Sequence, residues 1–369
     1  MYKIDYDAFS TKYKDIYYNK VSHNIRYYID QFIDGKSYQS KNVMVKATSK
    51  NTINLLNKLK GDAFLKKIIL GSLLEMHEII KEMPDKAFCQ SNKKGDNLNL
   101  ILYRIFVVGC YEGKTIRTAY TTEEINSGDY VEGNCINNIE HINQLNLKTC
   151  PYCNRNYIFS VKINRKKNSN IIDVNPKPQL DHFFPKSAYP FLGASLYNLI
   201  PSCSFCNGLE VKGEIEPIKN KKNPESSELI MNPYEFEDIK FSFSYKLSSI
   251  DILNLVENDI DILYKGAQQY IDGYQYIFGT QSLYNGHKDI ILDLIRKYEI
   301  YYPKSNQEYI NKIFNNDNED FFYINNKVIN HIFFGFEKSS GKHHQKSFSK
   351  FMNDIFKVIM DDKILNNNI

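Results

Sequence analysis

The chain has 369 residues, 42% of them hydrophobic and 14% aromatic, enough apolar side chain for two or three buried cores, which excludes a disordered tail. Its net charge is only +4 but unevenly spread: residues 150–222 carry 11 Lys and Arg against 5 Asp and Glu, and the remainder is slightly negative. The first residues lack the apolar core of a secretion signal, and no run nears the roughly 20 apolar residues that span a bilayer. A soluble, cytoplasmic protein is expected, with its seven cysteines as thiols.

Residues 1–145 read as mainly helical, and the first 60 are basic, with 11 Lys and Arg against 5 Asp and Glu. Over residues 62–83, Leu65, Ile68, Ile69, Leu73, Met76, Ile80 and Met83 recur at helical spacing. One amphipathic helix is predicted there, with Asp62 as N-cap and Pro84 as stop. Residues 100–110 fit a buried helix or a strand, and periodicity does not decide between them. The isolated Cys89, Cys110 and Cys135 read as buried hydrophobes.

Beyond Cys153 the texture changes. Residues 157–163 and 171–174 look extended, with an exposed basic turn over 165–170 (Arg165, Lys166 and Lys167). Pro176 and Pro178 disfavour a helix before Asp181, so His182 is expected at the end of an extended segment. The residues after Cys206 are expected to enter a helix whose first turn carries Asn207, completing a ββα unit. Residues 219–227, with Pro224, read as a linker. Over 239–247 apolar and polar residues alternate as in a half-buried strand. Residues 305–308 have the capping-box form that starts a helix. The predicted architecture is α+β and mostly α-helical. Helical regions at 1–145 and 223–369, the latter with one or more strands, flank a central unit at 146–222.

The chemistry concentrates in that central unit. Cys150-Pro-Tyr-Cys153 and Cys203-Ser-Phe-Cys206 are two thiolate knuckles, and two such knuckles make a closed tetrahedral site suited to zinc. Four thiolates leave no open position for water, so this metal would be structural. Between the knuckles stand Asp181-His182, a carboxylate beside an imidazole, and Asn198; Asn207 follows the last cysteine. A hard-metal ligand next to a general base is what metal-assisted phosphodiester hydrolysis needs. His343-His344 lacks a nearby carboxylate or cysteine in sequence and reads as exposed.

Cys150-Pro-Tyr-Cys153, the Leu180-Asp-His-Phe-Phe-Pro-Lys-Ser stretch, Leu196-Tyr-Asn-Leu-Ile-Pro-Ser-Cys203 and Cys206-Asn-Gly-Leu-Glu-Val-Lys together resemble the HNH endonucleases, in their zinc-stapled ββα-metal form. The resemblance covers roughly residues 150–213. It implies that Asp181 and Asn207 ligate a catalytic Mg²⁺ or Mn²⁺, that His182 is the general base, and that Asn198 braces the loop holding it. Arg155, Lys186 and Lys212, with the basic residues at 165–167, would be phosphate contacts. The layout of helical flanks about such a unit also resembles HNH effectors of bacterial antiphage systems of the Septu and retron-associated type. This second resemblance implies an SMC-like or ABC-like ATPase partner; no nucleotide-binding loop is present here, so any ATP dependence would come from elsewhere. DNA is favoured over RNA as substrate, and a double-strand break would need a homo-oligomer or two visits. The rival reading is a zinc-stabilised nucleic-acid-binding or protein-adaptor module without cleavage.

Overall fold

The computed structural model describes residues 1–40, 43–88, 97–110, 138–158, 163–167, 170–174, 179–249, 251–301, 306 and 343–361. Cys89, Cys135 and the capping box expected at 305–308 (Asn306 apart) lie outside the described residues. The protein is α+β and mostly helical, with four separate two-stranded antiparallel sheets among the described residues. No helix is long and apolar enough to cross a membrane, again among the described residues. The chain divides into two units, one of Ile4–Leu147 with Ile158–Phe236 and one of Met1–Lys3, Lys148–Tyr157 and Glu237–Ile369.

The first of these opens with α1 (Thr11–Ile33), started by Ser10, whose side chain accepts from the Tyr13 N–H. Tyr13, Tyr17, Val21, Ile25, Ile29 and Phe32 repeat every three to four residues and form its buried face. A short hairpin, β1 (Tyr38–Ser40) and β2 (Val43–Val45), leads to α2 (Lys50–Lys60). The single helix expected over 62–83 is instead two, α3 (Asp62–Leu70) and α4 (Leu73–Glu82). The break has a local cause: Ser72 and Glu75 form a capping box that starts a new helix, and Gly71 is extended at φ −66°, ψ 147°. Gly61, not Asp62, is the N-cap of α3. α4 ends at Glu82 with Met83 as its C-cap, just before Pro84, where the proline was expected to stop it.

The ambiguous segment at 100–110 is helical. α5 (Asn97–Leu102) runs into a π-turn over Tyr103–Val108, where the Gly109 N–H reaches the Arg104 carbonyl at 2.9 Å. Cys110 is buried, as read. After α6 (Asn138–Leu145) come β3 (Ile163–Lys167) and β4 (Asn170–Val174), paired antiparallel. Arg165, Lys166 and Lys167 therefore stand on a strand rather than in a turn. β5 (Gln179–His182) pairs with β6 (Leu199–Ser202) in the register Asp181↔Ile200 and His182↔Leu199. His182 thus closes an extended segment, as Pro176 and Pro178 led us to expect.

No helix follows Cys206. Residues 204–214 fold as successive turns, with the Lys212 N–H on the Cys206 carbonyl at 3.3 Å. Gly213 sits at φ +40°, where an added Cβ would meet the Leu209 carbonyl oxygen at 2.7 Å, and this left-handed residue closes the last turn. With Gly208 also in the segment, helix propensity is low, and the expected ββα unit is not formed as such. Residues 219–227 are not a linker but a closed loop of the same unit. The Lys219 N–H bonds the Ser227 carbonyl at 2.9 Å, and the Lys221 ammonium lies over the Phe88 ring at 4.7 Å.

The other unit is built on β7 (Phe241–Leu247) paired with β8 (Ile260–Gly266), followed by α7 (Gln268–Phe278), α8 (Thr280–Asn285), α9 (Lys288–Tyr301) and α10 (Ser349–Asp361). Phe241, Phe243 and Tyr245 are buried, as the alternation predicts, but Ile239 is 83% exposed and lies before the strand. Ser244 is buried as well, so the polar face is not fully solvated. α10 packs against this strand, and Asp354 accepts from the Phe243 N–H at 3.0 Å.

Candidate metal centre and the adjoining hairpin

Each cysteine pair is shaped by its own backbone. At the first, the Asn154 N–H bonds the Cys150 carbonyl at 2.7 Å and the Arg155 N–H points to the Cys153 sulfur at 3.4 Å. The Asn207 N–H bonds the Cys203 carbonyl at 3.1 Å and the Cys206 N–H points to the Cys203 sulfur at 3.4 Å in the second. An amide aimed at sulfur favours the thiolate, the form that binds metal. The four cysteines are buried, with all sulfurs within 4.8 Å of one another. Sulfurs about 2.3 Å from a tetrahedral zinc would stand about 3.8 Å apart, inside this limit, so the donor set can hold a metal ion such as zinc. Among the described residues, no other group of three or more His, Cys, Asp and Glu side chains is placed to hold an ion.

Asn154, which the sequence reading passed over, fastens the first knuckle. It adopts φ +49°, a conformation Asn tolerates better than most residues. Its buried amide donates to Thr149 Oγ1 at 3.0 Å and the His343 carbonyl at 2.9 Å, and its oxygen accepts from the Lys350 N–H at 2.9 Å. His343-His344, expected to be exposed, is partly buried, and the His344 carbonyl accepts from the Lys148 and Thr149 N–H groups. Burial pushes the His343 imidazole down to about 4.

On the hairpin, Asp181 is 3% and His182 7% exposed. The His182 Nε2–H donates to the Gly193 carbonyl at 2.9 Å, which fixes the neutral tautomer with its lone pair on Nδ1. Burial first, then the Lys186 and Lys212 charges, push this imidazole down to about 3, so it is neutral at physiological pH. Gly193 can approach because it lacks a side chain: an added Cβ would meet Val107 Cγ2 of the π-turn at 2.6 Å. Asn198 is fully buried and spans the 183–198 loop, accepting from the Phe184 N–H at 2.7 Å and donating to the Leu192 carbonyl at 2.9 Å. Tyr17 and Ser195 tie the loop to the helices, the hydroxyls donating to the Ala194 carbonyl at 3.0 Å and the Ile68 carbonyl at 2.5 Å.

The remaining predicted residues are dispersed. Asn207 is not joined to Asp181; its amide donates to Gln179 Oε1 at 2.8 Å at the surface. Arg155 Nε donates to His287 Nε2 at 3.1 Å, and Lys186 is half-buried. Lys212, read as a phosphate contact, is 0% exposed and unavailable as one. Its ammonium instead bridges Asp181 Oδ2 at 2.9 Å, Asp181 Oδ1 at 3.1 Å and the His182 carbonyl at 2.9 Å. Oxygen donors at Asp181 and Asn207 suit a hard cation by chemistry, but the carboxylate already has a cationic partner. No sequence signal separated this lysine from its surface neighbours, because the pairing spans 31 residues. No protein-family model matches the chain, and no curated protein or solved structure matches it either.

Proposed function

We propose that the chain is a metal-dependent endonuclease of the HNH type, hydrolysing phosphodiester bonds in nucleic acid, DNA in preference to RNA. The observation that carries the reading is Asp181-His182 at the end of β5, with the imidazole held by the Gly193 carbonyl and its loop clamped by the buried Asn198. A packed structural histidine needs no neighbouring carboxylate and no braced loop.

In this reading His182 Nδ1 accepts the proton of the attacking water. The Gly193 bond sets the ring's orientation, and burial keeps the ring unprotonated before the substrate binds. A pKa near 3 makes a weak base, and an arriving phosphate offsets the Lys186 charge and raises its basicity. Asn198 keeps the loop from drifting, and Lys186 holds phosphate at the rim. Asp181 and Asn207 would hold Mg²⁺ or Mn²⁺, which when bound polarises the scissile phosphate and stabilises the leaving oxygen. The four-cysteine metal is structural. The antiphage setting and the ATPase partner rest on layout alone and are part of the same proposal.

The test is plasmid nicking under Mg²⁺, Mn²⁺ and chelator, with linear duplex and total RNA in parallel. His182→Ala is expected to lose roughly 10² to 10⁴ in rate while keeping its zinc. Retarded migration without cleavage in every metal would favour the binding-module reading.

A further inference from the structure

We propose that the Lys212 ammonium is a built-in counter-cation that occupies the Asp181 carboxylate until a divalent ion displaces it, so that loading of the hydrolytic site is gated by a side chain. The inference rests on the nuclease reading, since it concerns the same carboxylate. Three acceptor oxygens lie within 3.1 Å of Nζ, two from Asp181 and one from the His182 backbone. An ammonium has three N–H donors, so this cage satisfies it fully. Lysine is rarely buried at 0% exposure unless paired, and here the pair is complete.

A divalent ion on Asp181 would sit within a few ångströms of this ammonium, in a dry site where like charges are poorly screened. The two cannot share the carboxylate, so one excludes the other. Lys212 stands in residues 204–214, which are turns rather than helix, closed by the left-handed Gly213. A plain structural ion pair would instead keep Lys212 in place whatever ion is added.

The experiment uses the full chain with its four-cysteine site loaded with zinc. Mn²⁺ binding is read from the loss of the free-ion resonance signal, with Asp181→Asn as the control for binding elsewhere. Lys212→Met is expected to tighten Mn²⁺ binding at least tenfold. Because that variant leaves a buried carboxylate unpaired and can fail to fold, the wild-type protein supplies a second readout. Reductive methylation of Lys212, mapped by mass spectrometry, is expected to be at least tenfold faster at saturating Mn²⁺ than without it. Unchanged or weaker Mn²⁺ affinity in a folded Lys212→Met, or a labelling rate that Mn²⁺ does not move, overturns the gate. If Mn²⁺ still binds at Asp181 and plasmid is still nicked, only the gate has failed. If neither wild type nor Lys212→Met binds Mn²⁺ through Asp181 or nicks plasmid, the nuclease reading fails with it.

Discussion

Asn154 shows how much one side chain can hold. Its amide and oxygen reach Thr149, His343, Lys346 and Lys350, the last three over 189 to 196 residues of sequence. Asn154→Ala leaves these buried groups unsatisfied and is expected to cost roughly 2–3 kcal/mol in urea unfolding. Asn154→Gly restores the left-handed backbone but not the bonds, and should recover only part of the loss. The position following Cys-x-x-Cys was visible in the sequence, but its partners were not, because nothing local encodes contacts at such separation. Asp181 and His182 could be singled out for the opposite reason: their residue types and adjacency are what the proposed hydrolysis would use. His141 adds a pH-dependent contribution. Its Nε2–H donates to the Leu199 carbonyl at 3.3 Å, Nδ1 is buried without a partner, and burial lowers its pKa from 6.5 to about 4. The folded pKa lies below the unfolded one, so the unfolded chain takes up the proton first as pH falls. Its stabilising contribution is therefore intact above about pH 6.5 and is lost on acidification toward 4, by up to about 3 kcal/mol. Urea midpoints measured across this range should fall less steeply for His141→Gln than for wild type; parallel slopes would remove His141 from the account.

The elements were legible in their faces more than in their ends. Leu65, Ile68, Ile69, Leu73, Met76 and Ile80 are all buried, so the core positions over 62–83 are those the periodicity marks. The axis nonetheless breaks at Gly71, since apolar spacing carries across a sharp turn when both short helices face one core. The cue was Ser72-Leu-Leu-Glu75, whose capping box was there to be read. Ser72→Ala should destabilise by about 1 kcal/mol, whereas Ser49→Ala, which loses a cap without a reciprocal glutamate, should cost no more. Calorimetric scans of the two variants compare them directly. The turns after Cys206 were expected to be helix, although Gly208 and Gly213 argue locally against it. The sulfur cluster matters at this scale too, because it closes a chain segment of 49 residues between Cys153 and Cys203. By the cross-link entropy relation, closing such a loop is worth about 4 kcal/mol. Cys206→Ser, or a strong chelator, should lower the melting temperature by many degrees and abolish the bound zinc; a chain that melts unchanged without metal would make the cluster dispensable.

Over the whole chain, the charge count made residues 150–222 the basic region, but it could not say which of those cations face solvent. Burial removes Lys212 outright, and Arg155 is spent on His287. Lys221 lies over the Phe88 and Tyr189 rings. What the sequence scores as one positive field is thus partly internal wiring, and the cations left for a polyanion are fewer than the formal +6 of that stretch implies. Arg165, Lys166 and Lys167, consecutive on β3, are a run of three adjacent cations in the sequence of that stretch. Each phosphate neutralised by a cation contributes close to −0.9 to the slope of log affinity against log salt on duplex DNA. Replacing all three by alanine should therefore weaken duplex binding uniformly across sequences and reduce the slope by about 1 to 3, while leaving the zinc content and the nicking rate at saturating DNA nearly unchanged. Fluorescence anisotropy at several salt concentrations reads the slope directly. An unaltered slope would shift the nucleic-acid-binding face away from β3, to Lys186 and the rim of the Asp181 hairpin. A slope that vanishes would make this strand the main electrostatic anchor of the molecule.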